Sequence, residues 1–207
     1  MALSLATVGA KITATFINLI IGQVNAQAQT AVIPTSVAGT GVTLGAAGKV
    51  SFSASTAVSV NGCFTSTYDN YLLVFDLTTS GAAGLNINLR LAGTDAATAY
   101  DSQRMTAVNA TVSALQSLNT SNWVGSGGIA IAGATLSGTM TLFSPALAVA
   151  TRAQIDNNIT ANPMTTSAGY YKGTLLHRTM TAYDGFTLTA STGTITGSIR
   201  IYGKNNN

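Results

Sequence analysis

The sequence predicts a mainly β protein: an antiparallel jelly-roll-type β-sandwich preceded by one N-terminal α-helix and an extended connector. Three observations carry that prediction. From about residue 49 onward, apolar residues recur at every second position in run after run, the pattern of strands covered on one face. Turn signals built on Gly separate these runs, and no long helical pattern intervenes. Only 7% of the side chains are charged and every acidic one is Asp, where an ordinary soluble domain carries roughly a quarter. Thr, Ser, Asn, Gln and Gly supply the polarity instead, which suits sheet faces that pack against neighbours.

Residues 1–30 form the helical segment. Between Ala10 and Gln29, the residues Thr15, Asn18, Gly22, Asn25 and Gln29 recur at alternating spacings of three and four and so share one stripe. The opposite arc holds Ile12, Phe16, Ile17, Leu19, Ile20, Ile21 and Val24. That arc is wider than a single neighbour needs. It predicts burial between copies of the helix, with docking onto the chain's own β domain as the alternative. Asn25-Ala26-Gln27-Ala28 imitates a small-residue cleavage site, but Lys11 precedes the apolar run and Asn18 and Gln23 interrupt it. A packed amphipathic helix therefore fits better than a secretory signal peptide. The run is also too short and polar to span a membrane.

Residues 31–48 form a Gly-punctuated connector, with Gly39, Gly41, Gly45 and Gly48. Either an extended arm that clasps a partner or a flexible hinge fits that composition.

Residues 49–207 form the β-sandwich. Val50 and Phe52 alternate with Ser51 and Ser53, and Val58 and Val60 with Ser59 and Asn61. Leu85, Ile87, Leu89 and Leu91 alternate with Asn86, Asn88 and Arg90. Leu136, Met140 and Leu142 share a face, with Gly138 in the remaining slot; Ile195, Ile199 and Ile201 close the series. Tyr71 to Leu77 is nearly all apolar and reads as a central strand. Ser80-Gly81, Gly125 to Gly128, Asp184-Gly185 and Thr192-Gly193 mark turns.

The chemistry-bearing residue types are few and scattered. The nine basic residues stand singly along the chain, whereas a nucleic-acid surface needs several cations together. Cys63 is the only cysteine and is flanked by Val60 and Phe64, so it reads as a small buried hydrophobe. His177 is the only histidine and reads as structural, because metal sites draw on several ligands. Asp95, in Gly93-Thr94-Asp95, and Asp184, in Tyr183-Asp184-Gly185, fit turn-capping roles. The Asp residues show no calcium-loop spacing, and no phosphate-binding Gly loop precedes a GK[ST]. The sequence therefore predicts no catalytic residue, no cofactor and no metal. Trp123, in a Gly- and Ser-flanked stretch that reads as a loop, and Tyr170 and Tyr171, at the start of a strand, are the candidate ligand contacts.

The stretch Asn70-Tyr71-Leu72-Leu73-Val74-Phe75-Asp76-Leu77, followed by Leu89-Arg90-Leu91-Ala92-Gly93-Thr94-Asp95, carries a family resemblance. So does the ending, Tyr183-Asp184-Gly185-Phe186-Thr187-Leu188, then Gly193-Thr194-Ile195-Thr196-Gly197-Ser198-Ile199-Arg200-Ile201-Tyr202-Gly203. These resemble a family of tailed-bacteriophage virion proteins, found particularly in phages of actinobacteria and usually labelled minor tail or appendage proteins. The opening Lys11-Ile12-Thr13-Ala14 through Val24-Asn25 is similar to that family's N-terminal attachment helix. The resemblance spans most of the chain, with a generic middle at about 105–180. Its motifs are strand and turn patterns, so it implies architecture more firmly than activity. It implies a trimeric jelly-roll fibre, cap or capsid decoration, in the virion on tail or capsid surface and assembled in the host cytoplasm.

Two functions from different classes follow. The first is a non-enzymatic phage structural protein, a homotrimer assembling through its apolar helix and sheet faces and bound to other virion proteins. The second is a binding module for a host-surface glycan, with Trp123 and the tyrosines as contacts. A secreted bacterial adhesin is a third and weaker reading. None involves nucleic acid or insertion into a membrane.

Overall fold

The computed structural model describes residues 29–81, 84–108, 111–124, 133–160 and 168–204. The expected helix, and with it Ile12, Phe16, Ile17, Leu19, Ile20, Ile21 and Val24, lies outside the described residues. So does the turn expected at 125–128.

Within them the chain is almost entirely strand. The connector holds β1 (Thr30–Ala31), β2 (Ser36–Ala38), β3 (Val42–Leu44) and a short 3-10 turn at Ala46–Gly48. Next come β4 (Val50–Ser55), β5 (Ala57–Asn61), β6 (Asn70–Thr79), β7 (Leu85–Leu91) and β8 (Thr94–Asp95). The middle of the chain gives β9 (Tyr100–Val108), β10 (Thr111–Thr120), β11 (Trp123–Val124) and β12 (Thr135–Phe143). The last four are β13 (Ala150–Thr160), β14 (Ala168–Met180), β15 (Gly185–Ala190) and β16 (Ile195–Lys204).

These strands make two antiparallel sheets. The larger runs β10-β9-β14-β13-β12-β6-β16-β4-β3, with β1 also on β16; the smaller runs β11-β7-β15-β5-β2, with β8 also on β7. Within the larger sheet, the order β4-β16-β6-β12 faces β5-β15-β7-β11 of the smaller. Taken in chain order, these eight strands alternate between the sheets at every step except β7 to β11, which both lie in the smaller sheet; this is the two-Greek-key wiring of a jelly roll. The predicted fold class is therefore present, and it is the alternation of apolar residues that builds it. Phe52, Leu73, Phe75, Leu136, Met140, Ile199 and Ile201 of the larger sheet meet Val58, Val60, Ile87, Leu89, Phe186 and Leu188 of the smaller in one buried core.

Two features go beyond the sequence reading. The connector is neither a free arm nor a hinge: its strands pair with the chain's own sandwich, β1 on β16, β2 on β5 and β3 on β4. Gly41, at a left-handed φ of 68°, makes the tight link between β2 and β3, where a Cβ would collide with the Ser53 carbonyl. The second feature is a wing. Insertions between β7 and β11 and between β12 and β15 supply β9, β10, β13 and β14, which extend the larger sheet beyond β12. β6 is central as expected, between β12 and β16, yet it is buried on one face only. Val74 stays 38% exposed because the larger sheet's outer face has no cover among the described residues.

Candidate functional site

Register places the side chains of the wing's outer face. In antiparallel pairs, residues directly opposite share a face. Gln154 opposes Thr174, Thr174 opposes Gln103, and Gln103 opposes Gln116, so four strands contribute one polar row. On β12, Thr141 extends the row opposite Gln154. The next row runs Phe143, Arg152, Leu176 and Asp101. Apart from Thr141, these residues, with Leu118 at the rim, line an open groove of about 370 Å³.

One wall of the groove is held rigidly. Asp101 accepts a 2.7 Å hydrogen bond from the Asn119 backbone N–H and pairs with the Arg178 guanidinium at 3.0 Å. Arg178 also donates to the Asn119 side-chain oxygen at 2.9 Å. Asn119 sits at a left-handed φ of 54°, in the bulge that breaks the β9–β10 register between Ser117 and Thr120. On the floor, the amides of Gln103, Gln116 and Gln154 make no side-chain hydrogen bond within the described residues. Gln103 and Gln116 stand on adjacent strands, about 4.8 Å apart, and Gln154 lies two strand spacings from Gln103 with Thr174 between them. A row of amides beside a carboxylate, a guanidinium and Phe143 can bind a polyhydroxylated ligand by hydrogen bonds and ring contact.

The three sequence-predicted ligand contacts do not line this groove. Trp123 is no loop residue: it lies in β11 opposite Ile87, and it is fully buried. Its Nε1–H donates to the Leu176 carbonyl at 3.0 Å, which leaves no face for a ligand. Tyr171 points into the core, where its hydroxyl donates to the Val124 carbonyl at 2.8 Å and burial pushes its pKa up to about 12. Tyr170 is on the outer face, two rows away. Its hydroxyl donates to Asp156 at 2.8 Å, and that bond raises its pKa. Sequence alternation alone missed Gln103, Gln116 and Gln154, because polar residues on a strand's outer face look alike until pairing aligns them.

Trp123 belongs to an aromatic cluster at the joint between sandwich and wing. Its ring meets Tyr100 edge-on at 5.4 Å, Tyr100 meets His177 at 4.3 Å, and His177 meets Tyr183 at 5.2 Å. Tyr100 accepts from the Leu89 N–H at 2.8 Å and donates to the Ala96 carbonyl at 3.1 Å. Burial raises the Tyr100 pKa. Nε2 of His177 lies 3.1 Å from the Thr98 carbonyl, which only accepts, so that nitrogen carries the proton. Burial lowers the His177 pKa below its usual 6.5. This is a packed joint, in keeping with the structural reading of His177.

Cys63, Arg90 and Asp184 are also committed to structure. Cys63 is fully buried and desolvation raises its thiol pKa steeply, which suppresses the reactive thiolate. Arg90 spans four segments, donating to Asn61 at 3.0 Å, to Thr187 at 2.6 Å, to Asp95 at 2.5 Å and to the Gly93 carbonyl. Asp184 accepts from the Ala92 N–H at 2.9 Å in its turn. Among the described residues, no three His, Cys, Asp or Glu side chains gather as a metal site, and no helix is long and apolar enough to cross a membrane. Compared with known proteins, the chain matches no family model, no curated protein and no solved structure.

Proposed function

We propose that the chain is a non-enzymatic structural subunit of a bacteriophage virion, a tail appendage or capsid-surface component. It assembles as a homotrimer through its apolar N-terminal helix, and its jelly roll faces outward. The observation that carries this reading is the jelly-roll wiring widened by a wing. Jelly rolls serve capsid and lectin architectures, an analogy of fold rather than of site. Composition supports the same conclusion: no Asp, Glu, Lys, Arg or His occurs between Arg104 and Arg152. Light scattering on the full chain tests it. The expected mass is three chains or a multiple of three, reduced threefold by Ile17→Asp or Ile20→Asp, since an unpaired charge in a dry interface costs several kcal/mol. A monomer at micromolar concentration overturns the assembly.

The outer groove favours a second reading, a host-surface glycan-binding module. Its contacts are Gln103, Gln116, Gln154 and Arg152 rather than Trp123 or Tyr171. A glycan array that loses its signal on Gln103→Ala with Gln154→Ala supports it. An array with no signal at all removes it.

A further inference from the structure

We propose that β10 is a two-fold contact between copies of this chain, in which two β10 strands pair antiparallel about an axis through Leu115 and join two wings into one continuous sheet. The inference adds a contact to the assembly reading and does not depend on the segment before residue 29.

β10 closes one end of the larger sheet, and β9 is its only strand partner among the described residues. An open edge is a template for another chain, and proteins blunt theirs with charge, Pro or shortness. Residues 111–118 carry no charge, no Pro and no Gly, and β10 runs for 10 residues. Val112 is 65% exposed, Leu115 50% and Leu118 61%. Val112 and Leu118 lie on the outer face and Leu115 on the inner, so the strand is apolar on both sides.

The identity of the partner follows from the pattern of the strand itself. In a pairing centred on Leu115, Leu115 meets Leu115 of the second copy, Val112 meets Leu118, Ser113 meets Ser117 and Ala114 meets Gln116. Each large apolar side chain then has an apolar neighbour on its own face, and the serines hydrogen-bond across the strands. Centring one residue earlier sets Val112 against Gln116 and Leu115 against Ser113. Centring one residue later sets Leu115 against Ser117 and Val112 against Thr120. Only one register is self-complementary. The Asn119 bulge ends the pairable stretch just beyond Leu118, which fixes its length at the matched residues. Electrostatics do not oppose the contact. The nearest charges, Arg104 of each copy, sit three strand spacings apart, roughly 14 Å, beyond the Debye length of about 8 Å at physiological salt.

Other edges fit worse. The far end of the larger sheet is β3 with 3 residues, and the smaller sheet ends at β2 with 3 and β11 with 2. Against any of these, most of β10 would stay uncovered.

Cysteine cross-linking on the full chain tests the register. Directly opposed residues approach within disulfide range, so Leu115→Cys gives a covalent dimer on mild oxidation. Ser113→Cys, whose partner is position 117, does not. Ser113→Cys with Ser117→Cys restores the cross-link. Cys63 stays silent because it is buried. Leu115→Lys, at a half-exposed position that leaves the fold intact by circular dichroism, lowers the mass by light scattering at least twofold. Failure of Leu115→Cys to cross-link, equal cross-linking by Leu115→Cys and Ser113→Cys, or an unchanged mass for Leu115→Lys each overturns the proposal. Ile17→Asp leaves the Leu115→Cys dimer in place, so loss of the trimer and loss of the β10 contact read separately.

Discussion

The indole N–H of Trp123 donates a 3.0 Å hydrogen bond to the carbonyl of Leu176, and this bond ties the small sheet to the wing. Trp123 pairs with β7 of the sandwich, while Leu176 lies in β14 between β13 and β9. The wing is therefore an integral part of the folding unit.

Trp123→Phe keeps the aromatic packing against Tyr100 but removes the donor. The expected loss is about 1–3 kcal/mol, the cost of leaving a buried acceptor unpaired. Urea unfolding reads it as a lower midpoint at unchanged slope. Trp123 is the only tryptophan, so its fluorescence should be poorly quenched by acrylamide in the native state. Its unfolding transition should coincide with that of circular dichroism.

His177 makes stability depend on pH in a defined direction. Burial lowers its folded pKa below the usual 6.5, opposed in part by backbone groups of Thr179 and Thr98. The unfolded chain binds the proton more readily, so this contribution is fully present above about pH 6.5 and is lost as pH falls through the folded pKa. Melting temperature should drop across that window in the natural chain. The drop should shrink in His177→Gln, and an identical pH profile in both would refute the assignment.

Gly138 faces the core between Leu136 and Met140, opposite Asn157. A Cβ there would overlap the Asn157 side chain and the Asp156 carbonyl. Gly138→Ala should destabilise by about 1–3 kcal/mol through overpacking, and Gly138→Val by more. Thermal melts of the two variants check the order.

Arg90 and Asp95 join β7 to β8, and Thr187 relays between them. Thr187 accepts from Arg90 at 2.6 Å and donates to Asp95 at 2.7 Å. The arginine side chain is 12% exposed and the carboxylate 38%, so solvent screens the pair in part. A double-mutant cycle with Arg90→Met and Asp95→Ala should give a coupling of about 1 kcal/mol, reduced when Thr187→Val breaks the relay.

The sequence by itself determined the fold class, because alternation is a local property. Val50 and Phe52, Leu85 to Leu89, and Ile195 to Ile201 declare their buried face within a few residues, and the slot left to Gly138 was legible for the same reason. Leu91, at the end of its alternation, is instead 45% exposed. Neither pairing nor register is local. Whether Trp123 is a loop contact or a core anchor depends on its lying opposite Ile87, far away in the chain. Gln103, Gln116 and Gln154 are three unremarkable polar residues until hydrogen bonding between strands sets them in one row. Residues 31–48 read as a linker because the three strands are only two or three residues long and Gly39, Gly41, Gly45 and Gly48 punctuate the stretches between and after them; existing sheet edges made them strands. Burial in a sheet is decided one residue at a time by side-chain chemistry. Neighbourhood is decided by which edges remain to be paired, and only the tertiary structure makes that choice.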